Sequence, residues 1–337
     1  MFDNFKNVSH KKGKNINIKS LGRDIEWIKK AIRDQKKLAD LFINECKKRD
    51  KCPICKCEDY DSFVKIYNFF YLECRNCGHL FSQLVPLEIK DIYSNVDAKR
   101  SFQDQLYANK EVFEKRLKKI IYPKIKYCED NIKCRKKWID VGCGAGELLV
   151  GLKKRGWEVG GIEIDPIEVK FARQQGLKIY KEDIYSFDIG KLNNVGVVSM
   201  INILEHLEDP FSIVKKILDS CNSLTYFVVE VPFHPSLSSF VSSLFPKLAY
   251  RHIYPPEHLN IFTEKSIEIM LKMNNLKLIS VWQFGQDFQN LIYSVMINEK
   301  VKENCLFDKI IDLSNSIQFL IDKLGFSDTL FFIAQKQ

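Results

Sequence analysis

The chain has 337 residues, of which 45% are hydrophobic and 28% are charged. This balance is typical of a globular protein, and the length allows one large α/β domain together with a smaller module. No apolar run approaches the roughly 18 residues that a membrane-spanning helix needs, and the first residues do not resemble a secretory signal. We therefore expect no transmembrane segment and a cytoplasmic location.

The net charge of +9 is concentrated near the amino terminus. Residues 1–51 contain 15 Lys and Arg against 7 Asp and Glu, so the rest of the chain is nearly neutral. A groove that binds nucleic acid should be basic where the chemistry takes place, so this distribution disfavours a nucleic-acid substrate. Two interpretations of the basic amino-terminal segment stay open. It is either an arm that contacts RNA, a membrane surface or an acidic partner, or a solvated surface with no partner.

The first 50 residues divide into a basic polar arm and a helix. Residues 1–20 are rich in Lys and Asn, and we expect little order there. From Ile25 to Cys46 apolar residues recur at spacings of three and four, which predicts one amphipathic helix. Three heptads are too few for a coiled coil, so docking on the same chain is favoured over pairing with a second subunit. The oligomeric state stays open.

Residues 51–85 contain two Cys-x-x-Cys pairs, which predict a zinc ribbon. The four cysteines are Cys52, Cys55, Cys74 and Cys77, with 18 residues between the pairs. This spacing is typical of two knuckles joined by a hairpin, and four thiolates leave a zinc ion no open position, so the zinc is structural. Gly78 supplies permissive backbone after the second pair, whereas Lys56 occupies that position in the first. Cys57 is a competing ligand with poorer geometry.

The remaining chain predicts a linker followed by the main domain. Residues 86–135 are expected to form a largely helical linker. From residue 136 onward short apolar strands alternate with helical stretches, the pattern of parallel βαβ units, and Thr329–Ala334 predicts a closing strand. We therefore expect an α/β protein in which residues 136–337 form a Rossmann-like, doubly wound and mostly parallel sheet, with an insertion at residues 232–262.

A strand that begins at Trp138 runs into a glycine-rich turn and then a helix. A dinucleotide-binding fingerprint would require a third glycine at position 147, where the chain has Glu. The spacing Gly-x-Gly-x-Gly after an acid suits an amino-acid-bearing nucleoside instead, since glycines allow close approach of the backbone. The candidate binding residues in this turn are Asp140, Gly142, Cys143, Gly144 and Gly146.

Two further strand ends carry acidic residues. Glu163 follows the apolar strand Val159–Ile162, where a carboxylate can bind both hydroxyls of a ribose, and Ile164 stands beside it. Asp183 follows the strand Leu177–Tyr180, where it can accept the amino group of adenine while Ile184 covers the ring. Three strand ends at nearly regular spacing predict one nucleoside site.

These motifs resemble those of class I S-adenosylmethionine (SAM)-dependent methyltransferases over about residues 136–282, including the fourth-strand run Val197–Leu207. In such enzymes this strand end and its Leu-Glu-His turn lie beside the methyl donor, which implies roles for Asn202 and His206. With the two Cys-x-x-Cys pairs and the run Ile92-Tyr93-Ser94, the chain is similar to zinc-ribbon sugar methyltransferases, including those that act on nucleotide-linked deoxysugars. The resemblance implies SAM and a structural zinc ion as cofactors.

The segment after the fifth strand, Tyr226–Val231, is the candidate acceptor region. An apolar stripe from Leu237 to Leu248 predicts a helix that is either a lid packed on the sheet, with its serines opposite, or a surface facing lipid or acceptor.

In the resembling sugar methyltransferases, a Glu-His-Leu run after this insertion helps to form the acceptor site. This implies roles for Glu257 and His258, and for Tyr254 although it stands one residue out of register. His258 is the candidate general base because imidazole titrates near neutral pH, and His206, Tyr93 and Tyr254 are the alternatives.

We expect a SAM-dependent methyltransferase whose small-molecule acceptor is a sugar or a nucleotide sugar, in polysaccharide or secondary-metabolite synthesis. Two alternatives stay open. One is an rRNA or protein methyltransferase that holds its substrate with the ribbon and the basic amino terminus. The other is a non-catalytic binding protein on the same fold. Methylation at oxygen, nitrogen or carbon stays open as well.

Overall fold

The computed structural model describes residues 8–14, 23–88, 92, 110–134, 137–188, 190, 194–302 and 304–337. Its strands, numbered in chain order, are β1 (Ser9–Lys12), β2 (Cys46–Lys48), β3 (Tyr60–Ile66), β4 (Phe69–Cys74), β5 (Leu80–Ser82), β6 (Leu84–Pro86), β7 (Lys137–Val141), β8 (Val159–Glu163), β9 (Ile179–Lys181), β10 (Val195–Ile201), β11 (Tyr226–Pro232), β12 (Asn260–Ile261), β13 (Leu276–Phe284) and β14 (Thr329–Lys336).

The helices are numbered in the same way. They are α1 (Ile25–Phe42), α2 (Lys110–Arg116), α3 (Tyr122–Asn131), α4 (Glu147–Lys154), α5 (Pro166–Gln174), α6 (Pro210–Asp219), α7 (Leu237–Leu244), α8 (Glu264–Met273), α9 (Asp287–Asn298) and α10 (Cys305–Leu324). A π-helical turn, Leu117–Ile121, joins α2 to α3, and 3₁₀ turns form at Leu204–His206 and Pro246–Leu248.

The central sheet has eight strands in the order β1-β13-β14-β11-β10-β7-β8-β9. Strand β14 is antiparallel to both of its neighbours, and the other neighbouring strands are parallel. The chain runs outward from β7 to β9 and then continues from β10 on the other side of β7, so the strand order reverses there. In open α/β sheets, ligands bind outside the carboxyl ends of the strands at such a reversal. The predicted fold class is confirmed.

Alternate residues of the central strands belong to two hydrophobic cores, one on each face of the sheet. In β11, Phe227 and Val229 belong to one core, whereas Tyr226 and Val228 belong to the other. This period of two is that of a strand buried on both faces. The first core is completed by α6, α8 and the cysteine-rich hairpins, and the second by α1 to α5, α9 and α10.

The cysteine-rich module shares a sheet with the segment that follows β11. The order in this second sheet is β12-β5-β4-β3, and β12 pairs with β5 in antiparallel fashion. Phe81 of the module and Phe262, just after β12, lie in the same core as Leu204. The predicted ribbon and the predicted insertion therefore form one packed unit.

Two expectations about the amino-terminal region are wrong. Residues 9–12 are ordered as β1, which pairs with β13, and the Nζ atom of Lys11 lies 3.7 Å from the centroid of the Trp282 ring. The helix predicted to reach Cys46 ends at Phe42, and Cys46 begins β2 instead. The β1 strand is stabilised by a sheet edge that is distant along the chain, which local polarity does not reveal.

Of the two arrangements predicted for helix α7, the structure excludes packing of the apolar stripe on the sheet. Phe240 and Leu244 of its apolar stripe are 56% and 53% exposed, whereas Ser238, Ser239 and Ser242 are buried together with Val241. The Ser238 hydroxyl donates a hydrogen bond to the Asp328 carboxylate at 2.7 Å, and the Ser238 N–H donates one to Asp287 at 2.9 Å. Because buried carboxylates require polar partners, they select the serine face of the helix.

Other elements agree with their sequence patterns. Within the predicted linker, residues 110–131 are helical whereas Pro86 ends β6, and the closing strand is β14. Tyr93 lies outside the described residues. Within the described part of the chain, no helix combines the length and apolar character required to cross a membrane.

Candidate active site

A cavity of about 540 Å³ lies at the carboxyl ends of β7, β8, β9 and β10. Its volume is within the range of small-molecule sites, and its position is the reversal of strand order. Several residues predicted to bind the cofactor line it together, although they follow different strands. They are Gly142, Glu163, Ile164, Asp183, Ile184 and Asn202.

The glycine turn between β7 and α4 brings backbone to the cavity. Gly142, Gly144 and Gly146 have φ values of 65°, 52° and 80°, a region that is costly for other residues. A Cβ atom would lie 2.0 Å from Cδ1 of Ile203 at Gly142, and 2.4 Å from Cδ1 of Leu177 at Gly146. A side chain at either position would therefore be strained, both by the backbone conformation and by these contacts.

Asp140 lies in β7 and Cys143 in the turn, and neither of them, nor Gly144 or Gly146, is among the residues that line the cavity. The Asp140 carboxylate is 3% exposed and accepts a hydrogen bond from Oγ of Ser199 at 2.5 Å. Burial raises the pKa of Asp140 to about 7. The Sγ atom of Cys143 lies 2.4 Å from where a Cβ atom on Gly161 would be, so this side chain packs on β8.

Glu163 connects the glycine turn to the end of β8. Its carboxylate accepts hydrogen bonds from the N–H groups of Gly144 at 2.9 Å, Ile164 at 2.8 Å and Asp165 at 2.9 Å. Burial raises the pKa of Glu163, and the backbone donors oppose this shift. The carboxylate is thus held at the cavity wall, with oxygen lone pairs that can accept hydroxyl donors.

The cavity wall is strongly acidic. The lining that the structure describes contains no Lys or Arg. It contains eight acidic residues, which are Glu88, Glu163, Asp165, Glu168, Glu182, Asp183, Glu208 and Glu257. Such a wall attracts a cationic ligand and disfavours a phosphate group.

A further part of the wall is made by two segments that are distant in sequence. The 3₁₀ turn after β10 and the loop before β12 are joined by two hydrogen bonds. Nδ1 of His206 lies 3.0 Å from the carbonyl oxygen of Glu257, and the N–H of Leu259 donates to the carbonyl oxygen of Glu205 at 2.7 Å. As a result His206, Glu257 and Tyr254 line the same cavity.

His258 packs against His206 and is not among the residues that line the cavity. The two rings meet with centroids 4.6 Å apart, and the Tyr254 ring lies 3.8 Å from His258. Burial lowers the pKa of His258 well below its usual range, and the neighbouring His206 and His252 lower it further. The sequence predicts that His258 faces the acceptor as a base, but the structure places His206 at the cavity instead.

The four cysteines of the two pairs could hold a metal ion. Their Sγ atoms all lie within 4.8 Å of one another, and the distances are 3.7 Å from Cys52 to Cys77 and 3.4 Å from Cys55 to Cys74. A tetrahedral zinc ion with bonds of about 2.3 Å separates its sulfur ligands by about 3.8 Å. The thiolates therefore fit zinc after small adjustments. The competing candidate Cys57 is not part of this cluster.

The two knuckles have the same backbone geometry. The carbonyl oxygen of Cys52 accepts a hydrogen bond from the N–H of Lys56 at 3.0 Å, and that of Cys74 accepts one from Gly78 at 2.7 Å. Lys56 and Gly78 have φ values of 59° and 69°. Lys56 therefore adopts the left-handed conformation that the knuckle requires, at a cost of about 1 kcal/mol.

The cysteine module also fixes the loop that carries His258. The Tyr71 hydroxyl donates to the carbonyl oxygen of His258 at 2.7 Å. The carbonyl oxygen of Leu259 accepts from the N–H of Ser82 at 2.9 Å and from the Arg49 guanidinium at 2.8 Å. This part of the cavity wall therefore depends on the module as well as on the central sheet.

The family model described as a methyltransferase domain matches residues 113–281, which is half of the chain. The chain belongs to this methyltransferase family. It is a SAM-dependent enzyme with the class I fold.

Two curated relatives carry the name ubiquinone biosynthesis O-methyltransferase. The protein from Marinobacter nauticus is 26% identical over 177 residues, which cover 45% of this chain and 73% of the relative. The protein from Actinobacillus pleuropneumoniae is 33% identical over 99 residues, which cover 26% of this chain and only 41% of the relative. Among solved structures, a magnesium protoporphyrin IX methyltransferase from Synechocystis is 11% identical, with a TM-score of 0.47, 74% of this chain covered and 100% of that chain covered.

Sequence reasoning missed part of the cavity of this methyltransferase. Tyr185 and Glu208 line it and are joined, since the Tyr185 hydroxyl accepts a hydrogen bond from the Glu208 N–H at 3.3 Å. Glu208 stands two residues after His206, so the turn motif could have indicated it. Leu87 and Glu88, which follow β6, also line the cavity.

Proposed function

We propose that this methyltransferase transfers a methyl group from SAM to a hydroxyl oxygen of an uncharged small molecule, a sugar or sugar-linked metabolite. The observation that carries this proposal is the acidic cavity wall, whose described lining has eight carboxyl groups and no Lys or Arg. SAM is cationic at its sulfonium and ammonium groups, so the wall favours it and disfavours a phosphate beside it. The relatives named as O-methyltransferases support transfer to oxygen.

The cofactor end of the cavity has a role for each predicted residue. Glu163 binds the ribose hydroxyls, Asp183 accepts the adenine amino group, and Ile184 covers the ring. Asp140 supports the glycine turn through its hydrogen bond with Ser199. The residues around the methionine part are Gly142, Cys143, Gly144, Gly146, Ile164 and Asn202, with Cys143 contributing backbone.

The acceptor end has groups that can take up a proton. Bound SAM supplies an electrophilic methyl carbon, and the chain must orient a hydroxyl oxygen and remove its proton. His206 and Glu257 line the cavity and can accept that proton. Tyr254 lines the same wall, and His258 positions His206 by packing against its ring.

We also propose a structural zinc ion bound by Cys52, Cys55, Cys74 and Cys77. Four thiolates complete a tetrahedral site and leave no position for substrate. The metal would stabilise the module of residues 51–85 and, through Tyr71 and Ser82, the loop that carries His258.

Methyl transfer from labelled SAM tests this proposal. The protein is incubated with three sets of acceptors: uncharged sugars and glycosides, nucleotide sugars, and RNA. We expect label in the uncharged set and much less in the two phosphate-bearing sets. Preferential labelling of nucleotide sugars or RNA would contradict the argument from cavity charge, and failure to bind S-adenosylhomocysteine would contradict the cofactor assignment.

A further inference from the structure

Three potential metal ligands converge beside the acceptor end of the cavity. Glu205, His206 and His258 each offer one ligand atom within 4.8 Å of those of the other two. Glu205 and His206 belong to the 3₁₀ turn after β10, and His258 belongs to the loop before β12. The hydrogen bond from the Leu259 N–H to the Glu205 carbonyl oxygen, 2.7 Å long, holds the two segments together.

The Glu205 carboxyl group has no partner among the described residues. Its side chain is fully buried, with 0% exposure, and neither Oε1 nor Oε2 makes a hydrogen bond. Buried polar groups are almost always satisfied, and an ionised carboxylate is especially costly to bury alone. Glu205 therefore requires either a proton or a cation.

Both histidines present the nitrogen that a metal requires. Nδ1 of His206 lies 3.0 Å from the carbonyl oxygen of Glu257, and Nδ1 of His258 lies 2.7 Å from that of His252. Because a carbonyl oxygen only accepts, each Nδ1 atom donates its proton there, and in the neutral imidazole this leaves the lone pair on Nε2. Metal-binding imidazoles are supported in this way, with the second nitrogen donating to a backbone carbonyl.

We propose that Glu205, His206 and His258 bind a divalent transition-metal ion at the wall of the acceptor pocket. Two imidazoles and one carboxylate are a ligand set that such ions use with open positions remaining. Bonds of about 2.1 Å place ligand atoms about 3.0–3.5 Å apart, so small side-chain rotations close the cluster around an ion. Because His206 lines the cavity, an ion bound to it would lie at the cavity wall.

The role of this ion rests on the proposed function. Its positive charge beside the acceptor favours loss of the hydroxyl proton, which passes to the Glu257 carboxylate because His206 is then occupied as a ligand. The oxygen lone pair forms the new bond to the methyl carbon, and the electron pair of the breaking carbon–sulfur bond stays on sulfur.

Titration of the full chain with Mn²⁺ tests the site. Mn²⁺ prefers nitrogen and oxygen ligands to thiolates, so the cysteine module does not compete for it. The electron paramagnetic resonance signal of free aqueous Mn²⁺ reports binding directly. We expect the wild-type protein to bind one equivalent, and Glu205→Gln to weaken binding by at least about tenfold, or about 1.4 kcal/mol.

Glu205→Gln also separates the two explanations of the buried carboxyl group, since glutamine has the shape of a protonated glutamate. Unchanged Mn²⁺ affinity in this variant, or no binding by the wild type, overturns the proposal. Glu208→Gln removes an acid from the same cavity but not from the cluster, and should retain binding. If thermal melting shows that Glu205→Gln is unfolded, His258→Gln takes its place with the same expected loss.

S-adenosylhomocysteine binding, measured by calorimetry on the same samples, keeps the two proposals apart. If the wild-type protein does not bind S-adenosylhomocysteine, the proposed function is contradicted. The Mn²⁺ titration decides the metal site independently.

Discussion

The rings of His206 and His258 meet edge to face, with centroids 4.6 Å apart and planes at 84°. His206 follows a strand of the central sheet, whereas the backbone of His258 is fixed by the Tyr71 hydroxyl of the cysteine module. This part of the cavity wall is therefore assembled from two parts of the fold that meet at this pair of rings.

We expect substitution of either histidine to lower turnover. His206→Ala should reduce turnover by roughly 10²–10⁴-fold, because it removes a cavity-lining group that we propose acts on the acceptor. His258→Ala should also lower turnover by displacing His206, while S-adenosylhomocysteine affinity changes little in either variant. Because burial holds the pKa of His258 well below its usual range, its protonation should not produce a limb near pH 6.5 in the rate profile. Steady-state kinetics and calorimetry check this, and near-normal turnover in His206→Ala would exclude its role.

Glu163 should determine cofactor affinity. Glu163→Gln should raise the dissociation constant of S-adenosylhomocysteine by roughly 10- to 100-fold, about 1.4–2.7 kcal/mol, since it removes charge-assisted hydrogen bonds to the ribose. Calorimetry measures the change. Glu158→Gln is the control because Glu158 is an exposed acid just before the amino end of the same strand. If a folded Glu163→Gln protein binds S-adenosylhomocysteine as tightly as the wild type does, Glu163 does not bind the cofactor.

Cys74→Ser should remove one equivalent of zinc and lower the melting temperature. Because the module supports the loop before β12, turnover should fall more than cofactor affinity does. Elemental analysis and calorimetry measure these effects. Cys57→Ser should keep its zinc, since Cys57 lies outside the cluster. Full zinc content in Cys74→Ser would rule out the four-thiolate site.

Asp140 should make stability depend on pH. Its folded pKa is about 7, whereas an unfolded Asp titrates near about 3.9. The folded state therefore prefers the protonated form, and Asp140 destabilises the protein increasingly as pH rises from about 4 to 7. Asp140→Asn removes this penalty. The free energy of unfolding of the variant minus that of the wild type should therefore be larger at pH 8 than at pH 5, by about 1–3 kcal/mol.

Thermal melting of both proteins at the two pH values measures this difference. Asp219→Asn, at an exposed ion pair with Lys215, should show no comparable change. If the stability difference between Asp140→Asn and the wild type is the same at both pH values, the carboxyl group is ionised in the folded protein at both.

The sequence by itself determined the features that depend on local geometry. The glycine turn from Gly142 to Gly146 requires positive φ values, and the acids Glu163 and Asp183 follow strands whose apolar runs are visible in the sequence. Carboxyl ends of parallel strands meet at one edge of a sheet, so the sequence could predict that these residues lie around one cavity. The cysteine spacing likewise predicts that four sulfurs meet.

Only the tertiary structure decided which distant segments meet. Strand β1 is ordered because β13 offers an edge, and α7 buries its serines because Asp287 and Asp328 lie beneath them. The approach of Glu205 to His258 depends on hydrogen bonds between a turn and a loop that the cysteine module holds in place. Side-chain periodicity reports which residues share a face of one element, but the partner of that face is set by packing between elements, which no local pattern contains.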